Sequence, residues 1–187
     1  MSGAPSGEAA RSLYGAWRLV MGDTAAMRHF DGTSGAAIRS FWAAAIGAPM
    51  YAVTLIYGPG AGPFTDVERA VVVHLIGYVT AWCAYPLAMA YVASALGFWP
   101  RYFRFVAAYN WAAIIQYAAM LLATLLAALL PAKTGAMVLL AAMVFALVYE
   151  WYVARVALEI PPLTAAGVVG LDVALSLLIN AVTARLS

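Results

Sequence analysis

Charge is what this chain has least of. Ten Lys and Arg with eight Asp and Glu make up 10% of 187 residues, where soluble domains carry about 25%. A net charge of +2 leaves no electrostatic footprint for nucleic acid. The single cysteine, Cys83, excludes a disulfide framework and a thiolate metal site. It reads as a small apolar side chain, buried or facing lipid. The two histidines, His29 and His74, stand in separate segments and form no pair at ligand spacing. No GxxxxGK[ST], HExxH or GxSxG pattern occurs. Connections between apolar runs are too short for an extramembrane catalytic domain. No enzyme activity, metal or cofactor is therefore expected.

Apolar residues fill the space that charge leaves. They make up 66% of the chain, and its mean hydropathy is +0.89. Crossing about 30 Å of hydrocarbon takes roughly 20 apolar residues as helix. Five stretches qualify, at about Ile38–Tyr57, Val67–Leu96, Tyr102–Leu130, Thr134–Ala157 and Leu163–Ala184. They are separated by Gly58-Pro59-Gly60-Ala61-Gly62-Pro63, Gly97-Phe98-Trp99-Pro100, Pro131 and Pro161-Pro162. Lipid offers no partner to backbone N–H and C=O groups, and no run alternates with the period of a barrel strand, so the spans must be helical. The expected fold is all-α: residues 1–37 as a cytoplasmic segment and residues 38–187 as a five-helix transmembrane domain. Residues 1–37 contain no early apolar run, so the first span is expected to be retained rather than cleaved as a signal.

The basic residues orient the bundle. Arg11, Arg18, Arg28, Arg39, Arg101, Arg104 and Arg155 fall on the N-terminal side of the bilayer, against Arg69, Lys133 and Arg185 on the other, seven to three. The positive-inside rule then puts the N-terminus in the cytoplasm and the C-terminus outside, as in a bacterial inner membrane. Phe41, Trp42, Phe98, Trp99, Tyr102, Phe103, Trp151 and Tyr152 gather near the same inner face, the depth that suits amphipathic rings. Between Glu8 and Met21, Leu13, Trp17, Val20 and Met21 recur at helical spacing. They predict an amphipathic helix, lying on the inner leaflet or docked against the bundle. Asp23 or Thr24 is placed to cap a short turn, and Ser34 to cap the helix entering the membrane.

Ionisable groups at membrane depth cost about 2.5–3.5 kcal/mol each on insertion scales, so their partners carry the functional argument. Asp172 lies mid-way along the fifth span, with Ser176, Asn180 and Thr183 roughly on its side. This polar stripe is expected to face the bundle interior, with Asp172 either handling a proton or cation or fixing helix packing. Span three offers partners: Asn110, Tyr117 and Thr124 at sevenfold spacing, and Gln116 at the depth of Asp172. His74 is expected to make an interhelical hydrogen bond or to sense pH. Glu150 needs a partner, and Arg104 matches its depth, to form a helix–helix clamp or, less favoured, part of a polar cavity. Arg155 and Glu159 stand at i,i+4 and predict an interfacial pair. Pro49 and Pro86 predict kinks, while Ala43, Gly47, Ala84, Ala88, Gly167 and Ala174 offer small surfaces for close helix approach.

Two stretches, Met27-Arg28-His29-Phe30-Asp31 and Ile38-Arg39-Ser40-Phe41-Trp42, lead into the first span. With five spans and an external C-terminus, this layout resembles bacterial members of the Yip1-domain membrane proteins. Tyr109-Asn110-Trp111 within Phe103–Trp111 looks like a pattern of small membrane proteins from Ala-rich bacterial genomes. The chain lacks the DLxGP-like signature of eukaryotic members, so the likeness does not extend to Rab binding or vesicle trafficking. It implies a non-enzymatic integral membrane protein whose partners are the lipid bilayer and another membrane protein or a second copy. The expected function is to scaffold or accompany other membrane components. The alternative is a small-solute or proton-coupled transporter with Asp172 lining its path. The absence of a clear internal repeat weighs against that alternative. A polar cavity reaching Asp172 would favour it.

Overall fold

The computed structural model describes residues 5–58 and 66–186, with side chains from Gly7 onward. The Pro59–Pro63 part of the first connection lies outside the described residues. Seven α-helices follow in order: α1 Pro5–Val20, α2 Ser34–Ser40, α3 Trp42–Tyr57, α4 Val67–Leu96, α5 Trp99–Ala128, α6 Ala132–Leu158 and α7 Pro162–Leu186. A 3₁₀ turn, Thr24–His29, separates α1 from α2. Among the described residues there is no strand. Five helical segments are long and apolar enough to cross a membrane, beginning with α2 and α3 taken together as Ser34–Tyr57. The chain is an all-α, multi-pass membrane protein.

Local chemistry sets the ends. Asp23 accepts from the Ala25 N–H and caps the 3₁₀ turn. Thr33, not the expected Ser34, caps α2 by accepting from Ala36 N–H at 3.2 Å. Span one therefore begins earlier than Ile38. It tightens at Phe41, whose N–H bonds Ile38 and whose carbonyl takes the N–H of Ala44, an i→i+3 step that joins α2 to α3. Asp66 caps α4. Gly97, at φ 77°, ends α4 while Phe98 N–H reaches back to Ala93 O at 2.8 Å, a left-handed closure that glycine adopts without strain. Glu159 makes the same turn after α6 at φ 54° without being glycine.

α5 is the hub. It packs against α1, α2, α3, α4 and α6, and α7 closes a ring by lying between α6 and α4. Small side chains permit the close approaches. A Cβ on Gly47 would stand 3.1 Å from both the Tyr117 ring and the Tyr78 hydroxyl. Ala43 is fully buried. At Gly167 and Ala174, which are exposed, no helix of this bundle makes the close approach, because that side of α7 turns out of the ring. Cys83 is exposed on α4, beside outward-facing Val79 and Leu87, where lipid would surround it.

The N-terminal helix docks by one face and leaves another bare. Ser12, Gly15, Ala16 and Leu19 are buried, whereas Trp17 and Met21 remain 51% and 60% exposed. Tyr149 and Tyr152 of α6 hold it by donating to the carbonyls of Ala16 and Gly22, each at 2.8 Å. Of the residues expected to form its apolar side, Leu13, Trp17 and Met21 are thus undocked, while Val20 packs against the core.

Candidate functional site

Half-way along the bundle, α4, α5, α6 and α7 diverge around a cavity of about 260 Å³. Trp82, Tyr109, Gln116, Tyr117, Asp172 and Ser176 supply its polar and aromatic lining. The volume holds several water molecules or one compact solute, and falls below the roughly 300–1,000 Å³ typical of drug-sized ligand sites.

Asp172 faces inward, as the polar stripe requires. Tyr109 of α5 and Glu150 of α6 are the electrostatic neighbours of its carboxyl group. Three helices meet at this one cluster. Glu150 is 6% exposed, and its Oε1 has no hydrogen-bond partner among the described residues. Two neighbouring carboxylates repel strongly in a low-dielectric setting, and that repulsion is relieved when one of them takes up a proton.

The span-three neighbour of the Asp172 carboxyl group is Tyr109 rather than Asn110, Tyr117, Thr124 or Gln116. Asn110 instead donates to Ser40 Oγ at 2.8 Å and ties α5 to α2. Tyr117 packs against Trp82, ring centroids 6.2 Å apart, and lines the cavity without reaching the carboxyl group. Thr124 is buried farther along α5. Gln116 shares the cavity with Asp172 but donates to Ala146 O at 2.9 Å. Tyr109 precedes Gln116 by two helical turns, so the face that holds one holds the other.

The stripe on α7 is only partly inward. Ser176 lines the cavity, and Thr183 is buried against Gly77, its Oγ1 2.6 Å from where a Cβ there would stand. Asn180 is exposed. Each i+4 step rotates by about 40°, so eight residues carry Asn180 to the edge, whereas eleven bring Thr183 back within about 20°.

Two expected ion pairs are replaced. Arg104 does not clamp Glu150: it is exposed and lies beside Gly32, its Nε 3.7 Å from a Cβ built there. Depth matched, but the two side chains leave their helices in different directions. Arg155 lies over Trp151, 5.5 Å from the ring centre, and Glu159 pairs with Arg101 at 2.7 Å, because the left-handed turn at Glu159 swings it off the helix. His74 makes its interhelical contact, Nδ1 lying 3.4 Å from Tyr51 Oη.

No family model, curated protein or solved structure matches the chain. Among the described residues no group of three His, Cys, Asp or Glu is arranged to hold a metal ion. What the cavity can do follows from its own groups: offer a neighbouring solute the Asp172 carboxyl group, the Gln116 amide, the hydroxyls of Ser176, Tyr109 and Tyr117, and aromatic surface.

Proposed function

We propose that the protein is a small proton-coupled carrier of the cytoplasmic membrane, with the Glu150–Asp172 pair binding the proton and the midplane cavity binding the solute. One observation carries this reading: Asp172 lines the cavity, with Glu150 and Tyr109 as the electrostatic neighbours of its carboxyl group. Loss or gain of the shared proton changes the charge of the cavity wall, which couples proton occupancy to what binds beside it. A carboxylate placed at mid-membrane solely for packing has no need of a second carboxyl group, since an amide pair would do the same without the charge. The seven-to-three distribution of basic residues supports a cytoplasmic α1 end and an external C-terminus. A bacterial inner membrane and a Yip1-like layout belong to the same reading.

Purified protein in liposomes loaded with a pH-sensitive dye tests it. Under an imposed potential the wild type is expected to carry protons, while Asp172→Asn and Glu150→Gln, still folded, lose most of the flux. Liposomes no leakier than protein-free ones, with and without candidate solutes, end the reading.

A second reading has its own support. α7 presents Ala166, Gly167, Gly170 and Ala174 uncovered, and a Cβ on either glycine would meet nothing within 4 Å. Exposed small residues let another membrane helix approach closely, which favours a scaffolding role with a partner or a second copy. Gentle purification tests this: a companion retained by the wild type and lost in Gly170→Leu supports it, and a monomer in both removes it.

A further inference from the structure

Six of the seven arginines at the α1 end divide into two sets, the seventh, Arg155, lying over the Trp151 ring. Arg18, Arg39 and Arg101 each have a carboxylate partner, at 2.6 Å to Asp23, 2.7 Å to Glu8 and 2.7 Å to Glu159. Arg11, Arg28 and Arg104 have no hydrogen bond or ion pair among the described residues. These three come from α1, the 3₁₀ turn and α5, and they line one recess of about 640 Å³. Met27 and Phe30 give it an apolar wall. Its one acidic residue, Asp31, has Oδ1 occupied by the Thr33 N–H at 3.1 Å.

Like charges left unpaired in one recess repel each other unless an anion joins them. Guanidinium groups match phosphate oxygens in a bidentate fork. A basic recess beside the ends of membrane helices is the arrangement that takes phospholipid headgroups. We infer that Arg11, Arg28 and Arg104 form a binding site for a phosphate-bearing anion, with the apolar wall at Met27 and Phe30 beside it. The phosphate is that of an anionic lipid headgroup or a free phosphate. The inference does not depend on the carrier reading, since the recess and the midplane cavity share no lining residue.

The test uses the full chain purified in a neutral detergent, with thermal stability followed as short-chain phosphatidylglycerol, short-chain phosphatidylcholine or inorganic phosphate is added. Phosphatidylglycerol is expected to raise Tm in a saturable way. The triple variant Arg11→Gln, Arg28→Gln, Arg104→Gln is expected to weaken the apparent affinity by at least about tenfold, as loss of several charge-assisted bonds requires. A charge-matched triple at the opposite end, Arg69→Gln, Lys133→Gln, Arg185→Gln, is expected to keep it. Saturation by inorganic phosphate, lost in the same recess variant, identifies a free phosphate as the source. A response to phosphatidylglycerol alone identifies a lipid. Equal effects of phosphatidylcholine, equal losses in both triples, or no response to either phosphate overturn the inference. Should the recess triple fail to fold, Asp31→Asn decides: it removes the acidic group, retains the acceptor for Thr33, and is expected to tighten binding severalfold. Unchanged or weaker binding there overturns the inference.

Discussion

The two ends of the bundle are built differently. At the α1 end, three buried neutral hydrogen bonds cross between segments far apart in sequence, Tyr149 to Ala16, Asn110 to Ser40 and Tyr102 to Pro86, all at 2.8 Å, with an exposed one from Tyr152 to Gly22 beside them. At the opposite end, Arg69 donates to Leu186 O from an exposed position, and His74 approaches Tyr51 at 3.4 Å. Buried polar bonds resist separation of the segments they join, while exposed ones exchange readily with water. The carboxyl cluster sits between a braced end and a lightly tied one. Opening of the cavity is therefore expected toward the lightly tied end.

Mutations can break this contrast. The largest effect is expected from Gly15→Leu at the braced end, where a Cβ would lie 2.8 Å from His29 Cβ and 3.1 Å from the Phe30 ring. Forcing atoms into that contact costs about 1–3 kcal/mol, and it should lift α1 enough to expose residues 7–20 to limited proteolysis. Next come Tyr149→Phe and Tyr152→Phe, each losing one bond worth about 0.5–1.5 kcal/mol, read as a lower Tm in detergent. Gly77→Ala at the opposite end crowds Thr183 Oγ1, the end of a rotatable side chain. It should cost less than the tyrosine changes, and Thr183→Ala should restore most of the loss in a double-mutant cycle. Arg69→Gln should leave Tm unchanged, as exposed surface contacts usually do. If Arg69→Gln instead proved the most damaging, the assignment of braced and loose ends would be reversed.

Much of the architecture is legible in the sequence because hydropathy and helix length have no alternative reading in lipid. The spans and the inward turn of Asp172 follow from the costs of exposed backbone and charge. Partners are harder. Glu150 and Arg104 were matched by depth, but contact also needs the two side chains to point toward each other, and a helix turns 100° per residue, so small errors in helix rotation change the partner. Electrostatic intuition also pairs opposite charges, which hid Glu150 and Asp172 as neighbours. Glu159 shows a third cause: its left-handed backbone redirects the side chain to Arg101, and no helical wheel contains that turn. Tyr109 was recoverable from its spacing to Gln116. The anchoring of α1 was not, because half of each bond is a main-chain oxygen.

That last feature bears on how the N-terminal helix would change over generations. Ala16 and Gly22 contribute carbonyls, which every residue type possesses. Replacing the exposed side chains of α1 one at a time would leave both acceptors in place, provided the helix stays wound. The record of the attachment would then be written on α6, in Tyr149 and Tyr152, and on the small buried residues of α1, while its outward face was free to drift.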